Sequence, residues 1–357
     1  MSRPLSARIN TAALAHNLGV VRRRAAACRI MAVVKANAYG HGLLRAAAAL
    51  AKADAFAVLE IEGALRLREA GHEQEIVLLE GVFEAAELPL ASKHGLSLVV
   101  HHQEQVAMLE ATRVRRKLRV FLKVNSGMNR LGFPLGEVRN ALARLQGCAA
   151  VSEVVLMTHF ANADDQRGIA WQLERFRTVA SSRMLPVSMA NSAALLRYPE
   201  TRFGWVRPGL MLYGASPFAD ESGETLELQP AMTLQSEIIA VQDLRPGDRV
   251  GYGGIFTAEQ AMRVGVVACG YADGYPRNAP TGTPILVDEK RTHTLGRVSM
   301  DTLCVDLAAV PAARVGTPVT LWGRGMPVEE VATSAGTIAY ELLCALAPRV
   351  RTEVTDD

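Results

Sequence analysis

Cysteine is scarce and scattered. The five residues Cys28, Cys148, Cys269, Cys304 and Cys344 form no CxxC pair, which argues against structural zinc and against a disulfide framework; no metal is expected. No run of about 18 consecutive apolar residues occurs, and the opening MSRPLSARIN lacks the apolar core of a signal peptide. The chain therefore reads as cytoplasmic, with no membrane partner. Neither sign of charge dominates: 39 basic residues against 36 acidic give a net charge of +3, too little to argue for nucleic acid. The basic run RVRRKLR, residues 113–119, reads as a solvated helix end. A GxGxxG fingerprint after the first apolar run is missing, as are internal repeats and low-complexity tracts.

The 357 residues, 49% hydrophobic and 21% charged, suit a soluble globular protein of one large and one smaller domain. The first two thirds alternate short apolar runs with stretches of helical spacing. Strands are expected at residues 30–34, 55–59, 76–79, 96–100, 119–124, 154–158, 187–190 and 210–213, and helices at 43–53, 61–70, 103–112, 135–145 and 169–181. This alternation predicts an α/β fold, an N-terminal eight-stranded parallel (TIM-like) barrel, with an open doubly wound sheet as the competing arrangement. After about residue 225 the texture changes to short β runs separated by Gly and Pro turns. The expected domains are thus a barrel at 1–225, its first residues packing with the second domain, and a mainly β domain at 226–357. The last element, residues 328–346, has helical spacing interrupted by Gly336.

In such barrels the working groups lie at the C-terminal ends of the strands. The stretch VVKANAYGHG puts Lys35 at the end of an apolar run, with Tyr39 four residues on. Lys123 lies in the fifth run and Arg130 follows in NSGMNRLGF; Thr158 and His159 end the sixth, Asn191 and Ser192 follow the seventh, and Arg207 precedes the expected eighth in RPGLMLYG. Singly, each has an ordinary explanation: a strand-end lysine is usually a surface group, a lone histidine a hydrogen-bonded core residue. Their convergence on one rim points to a site. A lysine held at a barrel mouth suits imine formation, because burial disfavours the ammonium and frees the lone pair. A sugar-like carbonyl, as in Schiff-base aldolases, or pyridoxal phosphate fits that chemistry. The segments NSGMNRLG and RPGLMLYG offer backbone N–H groups to a phosphate. These residues leave both partners open.

Several separated motifs, VVKANAYGHG, LKVNSGMNRLGF, THFANAD, NSAA, RPGLMLYG, GYGG, GYADGYPR and GRVSMD, together resemble the alanine racemase family of pyridoxal-phosphate enzymes, a barrel followed by a β domain. The resemblance spans nearly the whole chain. It implies that Lys35 carries the cofactor and serves as one catalytic base, and that Tyr252, in GYGG, is the second. It further implies that Tyr39, Ser192, Tyr340 and the backbone of Gly209 and Leu210 hold the phosphate. Arg130 would face the cofactor phenolate and the substrate carboxylate, Arg207 the pyridine nitrogen, and the Met300 N–H the carboxylate. His159 would support Tyr252 through a network including Arg207. Tyr271, Arg277, Arg297, Asp164 and Ile338 match the family's narrow entryway. In the family the two bases come from different subunits, which implies an obligate head-to-tail homodimer sharing its sites, with alanine as substrate.

The chemistry is consistent with these roles. Racemisation removes the Cα proton on one face and returns one on the other, so two opposed bases suit it. Most enzymes using this cofactor set a carboxylate at the ring nitrogen; an arginine can only donate, leaving that nitrogen unprotonated and the electron sink shallower. Lys123 lies near Arg130, an unfavourable pairing of cations that the family often relieves by carbamylating the lysine. Asn125, Ser126, Asn129, Gly251 and Ser299 depart from the commonest family wording. Three rivals remain on sequence grounds: a cofactor-carrying barrel protein, disfavoured by the second domain; an amino-acid decarboxylase, disfavoured by Arg207; and a racemase of broad specificity.

Overall fold

The structure is a computed structural model that describes residues 3–180 and 185–356. The chain opens with strand β1 (Ser6–Asn10) and the helix Thr11–Ala25. It divides into two compact units, one formed by Leu18–Ala38 and Gly42–Leu212, the other by Met1–Asn17, Tyr39–His41 and Tyr213–Asp357.

The first unit is a closed parallel barrel of eight strands: β2 (Arg29–Val33), β3 (Ala55–Val58), β4 (Glu75–Leu78), β5 (Leu96–Val100), β6 (Leu118–Lys123), β7 (Val151–Met157), β8 (Val187–Ser188) and β9 (Trp205–Val206). Neighbours in sequence pair in order, and β9 closes the ring on β2 through Arg29↔Trp205 and Ile30↔Val206. Strands covered on both faces read as unbroken apolar runs, as AFAV of β3 does, buried throughout. The expected helices appear at Leu43–Ala49, Ile61–Glu69, Gln103–Ala111, Leu135–Gly147 and Ala170–Ala180; the expected end of the last, Ser181, lies outside the described residues.

Residues 210–213 are not the eighth strand. They form a 3-10 helix, Leu210–Tyr213, and the eighth strand is the two-residue β9. A short run buried on every side has no periodicity to separate helix from strand. Arg207 consequently follows the last strand, so it too sits at a strand's C-terminal end.

The second unit is built on an eight-stranded sheet of order β13-β16-β15-β14-β17-β10-β1-β18, with β13 also pairing β10. Its strands are β10 (Met232–Leu244), β13 (Met262–Val267), β14 (Pro284–Val287), β15 (Lys290–Leu295), β16 (Leu303–Asp306), β17 (Pro318–Trp322) and β18 (Arg351–Thr355), joined by β1, which runs antiparallel to β10 and parallel to β18. A separate hairpin pairs β11 (Arg249–Val250) with β12 (Phe256–Thr257). Trp322 and Tyr275 are fully buried and stacked, ring centroids 6.0 Å apart. The expected C-terminal helical element is two helices, Val328–Ser334 and Ala339–Cys344, with Gly336 at φ +70° between them.

Candidate active site

Lys35 begins a turn of unusual hand. Ala36, Asn37, Ala38 and Tyr39 all have φ between 50° and 54°, a left-handed run that costs L-residues roughly 1–2 kcal/mol each. Hydrogen bonds offset the cost: Ala38 N–H donates to Val34 O (3.0 Å), Gly42 N–H to Asn37 O (2.9 Å) and Leu43 N–H to Asn37 Oδ1 (3.0 Å). Lys35 itself is half-buried. Strain of this kind persists where the surroundings over-determine it, commonly at functional sites.

Around the same end of the barrel stand Lys123 at the end of β6, Arg130 in the following loop, His159 after β7 and Arg207 after β9. Lys123, Arg130 and His159 line one small pocket. Arg207 is buried and donates to Ser188 Oγ (2.7 Å), Thr158 O (2.7 Å) and Met189 O (3.2 Å), with His159 Nδ1 at 3.5 Å. Burial pulls its pKa down to about 10, so it stays a cation at neutral pH. Lys123 is drawn down to about 8, by burial first, then by Arg207 and Arg130. His159 is held well below its ordinary pKa by burial and by Arg207, Arg130, Lys123 and Lys35; it is neutral at pH 7. Among the described residues no carboxylate forms an ion pair with Lys35, Lys123, Arg130 or Arg207. Such a concentration of positive charge is unfavourable alone and favours anionic ligands.

The loop carrying Arg130 is closed by Asn125 N–H to Phe133 O (2.9 Å) and Phe133 N–H to Lys123 O (2.8 Å), and Asn125 Oδ1 accepts from Gly127 and Asn129 N–H. Asn129, where the family frequently has Gly, sits at φ 55°, a conformation asparagine tolerates better than most residues.

Ser192 opens the helix Ser192–Arg197, capped by Asn191 Oδ1, which accepts Ala194 N–H. Its Oγ accepts Gly209 N–H at 2.9 Å. Leu210 N–H heads the 3-10 helix, where no intrahelical acceptor exists. In the second unit Tyr39 stacks on Tyr213 (4.7 Å) and lies 5.8 Å from Tyr340. Burial, with Tyr340 and Cys344 nearby, raises the Tyr39 pKa, so its phenol remains a hydrogen-bond donor. Tyr252, between β11 and β12, is 70% exposed, and Met300 is 53% exposed. Gly251 has φ 69° and ψ −170°, a region essentially reserved for glycine. The Met300 N–H has no acceptor among the described residues, whereas its carbonyl accepts Ala272 N–H at 3.0 Å.

Comparison with known proteins places the chain in a family. Residues 9–217 match the family description "Alanine racemase, N-terminal domain" and residues 231–354 "Alanine racemase, C-terminal domain". The chain belongs to the alanine racemase family. It is 60% identical over 354 residues to the alanine racemase of Nitrosospira multiformis, covering 98% of this chain and 99% of that one. Among solved structures, the biosynthetic alanine racemase of Pseudomonas aeruginosa is similar at a TM-score of 0.96 and 45% identity, covering 99% of each chain. That of Acinetobacter baumannii gives 0.94 and 41%, over 99% of this chain and 100% of that one.

Within this alanine racemase fold, several supporting residues carried no signal in the motifs. Gln172 is fully buried; its Nε2 donates to Ser126 Oγ (3.2 Å) and His159 O (3.1 Å), and its Oε1 accepts Ala161 N–H (2.7 Å). It thus ties the Arg130 loop to the His159 loop. Ser188 holds Arg207, and Tyr213 backs Tyr39. Tyr213 lies within RPGLMLYG, which by itself assigns it no role; Gln172 reads as an ordinary helical residue.

Proposed function

We propose that this chain interconverts L- and D-alanine with pyridoxal phosphate bound at the C-terminal end of its barrel. The observation that carries the reading is the half-buried Lys35 among cations that form no ion pair with a carboxylate among the described residues, a setting that fits a cofactor bearing a phosphate and a phenolate and a substrate bearing a carboxylate. Lys35 would hold the cofactor. Its phosphate falls to Ser192, the Gly209 and Leu210 amides, and the phenols of Tyr39 and Tyr340, neutral donors suited to an anion. When bound, the cofactor supplies an electron sink for the charge left at Cα when its proton departs.

The chain's own groups do the rest. Lys35 Nζ takes or returns the Cα proton on one face and Tyr252 Oη on the other. Arg130 and the Met300 N–H bind the substrate carboxylate; the unclaimed state of that N–H supports the assignment. Arg207, charged and able only to donate, would leave the ring nitrogen unprotonated and so restrain the sink, which favours proton return over transamination. His159, kept neutral, supports Tyr252 through the Arg207 network. Tyr252 is exposed, which suits a base delivered by a second copy of the chain in a head-to-tail homodimer. Tyr271, Arg277, Arg297, Asp164 and Ile338 are assigned to the entryway; the Arg277 guanidinium lies 5.8 Å over the Tyr271 ring. No helix among the described residues is long and apolar enough to cross a membrane, and a cytoplasmic location is part of the reading.

The test is an assay of purified protein on L-alanine, L-serine and L-lysine with and without pyridoxal phosphate. Cofactor-dependent racemisation of alanine, lost with its absorption band in Lys35→Ala, is expected. Wild-type turnover in Lys35→Ala would overturn the assignment of Lys35.

A further inference from the structure

The turn Gly270–Tyr275 contains a carboxylate that the roles above leave unused. Asp273 is fully buried, yet both its oxygens are engaged: Oδ1 accepts from Arg3 Nη1 (2.6 Å) and Arg349 Nε (2.7 Å), and Oδ2 from Gly270 N–H (2.9 Å). The same guanidiniums reach Asp301: Arg349 Nη2 donates to its Oδ1 (2.6 Å) and Arg3 Nη2 to its carbonyl oxygen. Two cations from opposite ends of the chain and two carboxylates thus form a neutral quartet around one turn.

That turn grips the peptides flanking Met300. Tyr271 N–H donates to Ser299 O and Ala272 N–H to Met300 O, both at 3.0 Å. A Cβ on Gly270 would lie 2.3 Å from Met300 O and 2.4 Å from Ser299 O, so the approach tolerates no side chain. Met300 itself lies outside helix and strand and is largely exposed. An amide on exposed irregular backbone loses orientation unless its neighbours are fixed. Here the carbonyls of Ser299, Met300 and Asp301 are all held, while the Met300 N–H has no acceptor among the described residues.

We propose that Asp273 is a positioning residue: bridged by Arg3 and Arg349, it sets the 270–273 turn against residues 299–301 and so fixes the Met300 N–H for the substrate carboxylate. The role of Met300 proposed above is presupposed. The test compares wild-type holoenzyme with Asp273→Asn and Arg3→Ala, using L-alanine kinetics and competitive inhibition by propionate, a carboxylate without an amine. In Asp273→Asn the KM and the propionate Ki should rise together by about tenfold, and in Arg3→Ala by about threefold, with kcat within about threefold and the bound cofactor's absorption unchanged. A purely structural role would lower the melting temperature without this shared rise. Should Asp273→Asn fail to fold, Arg3→Ala decides, because Asp273 then keeps Arg349 and Gly270. KM and Ki within about twofold of wild type in the folded variants, or a fall in kcat alone, would overturn the proposal. Wild-type enzyme that racemises alanine but ignores propionate would instead overturn the carboxylate role of Met300, and with it the purpose of the clamp.

Discussion

Gly40→Ala tests whether the Tyr39 segment is seated by direct backbone contact. A Cβ there would lie 2.2 Å from the Leu343 carbonyl oxygen and 3.3 Å from its carbon. Relieving that overlap requires the helix Ala339–Cys344 to retreat by about 1 Å, a strain of roughly 1–3 kcal/mol. The residue also sits at φ +80°, which adds roughly 1 kcal/mol for alanine. The total is about 2–4 kcal/mol, or roughly 5–15 °C in melting temperature. Gly71→Ala is the matched control: φ is +85° but nothing lies within 4 Å, so only the backbone term applies and roughly 2–4 °C is expected. The retreating helix carries Tyr340, so Gly40→Ala should also weaken pyridoxal phosphate binding by about tenfold, read by titrating cofactor-free protein and following absorbance; Gly71→Ala should not. Equal melting losses and equal cofactor affinities in the two variants would refute the reasoning.

With Tyr252→Phe in deuterated water, the Cα proton of D-alanine should exchange at least about tenfold faster than that of L-alanine, because Lys35 still serves one face; mixing with Lys35→Ala subunits should restore activity, and symmetric loss without rescue would sink the two-base, shared-site reading. Arg207→Glu should slow racemisation and raise pyruvate release per racemisation event by about tenfold, since a carboxylate lets the ring nitrogen hold a proton; an unchanged ratio with cofactor fully bound would remove the stated reason for the arginine. The folded state keeps His159 neutral while the unfolded chain protonates it below about pH 6.5, so its contribution is intact above that pH and is lost on acidification, by at most roughly 1.4 kcal/mol per pH unit. Urea unfolding at pH 7.0 and 5.5 should then show a smaller acid loss in His159→Gln than in wild type, and equal losses would contradict a neutral His159. With its pKa near 8, roughly a fifth of the Lys123 amine is neutral at pH 7.4, enough to add carbon dioxide; ¹³C-bicarbonate should give a carbamate resonance that Lys123→Ala lacks, and its absence from wild type would leave Lys123 a plain amine.

The barrel was legible because strands buried on both faces write continuous apolar runs, and the barrel part of the candidate site because Lys35, Lys123, His159 and Arg207 fall at or just after the ends of those runs. Reading failed where geometry comes from partners distant in sequence. The two-residue β8 and β9 exist only by pairing, so residues 187–190 were overextended and 210–213 misassigned. Lys35 is conspicuous in VVKANAYGHG, but the left-handed run after it is not, since Ala36 and Ala38 have no preference for that conformation. Gly40 makes sense only beside Leu343. Asp273 likewise looks like an ordinary turn residue until Arg3 and Arg349 are placed on it.

Strand β1 has a consequence for synthesis. Its antiparallel partner β10 begins about 225 residues later, a delay of roughly 10–45 s at ordinary ribosomal rates, and its parallel partner β18 follows later still. Throughout that interval Leu5, Ala7 and Ile9, buried in the finished protein, have no sheet to enter, although by its end every strand of the barrel has been made. The nascent chain therefore displays a short apolar segment without its sheet partners, and the yield of native protein should respond to holdase chaperones that cover it until β10 has been made.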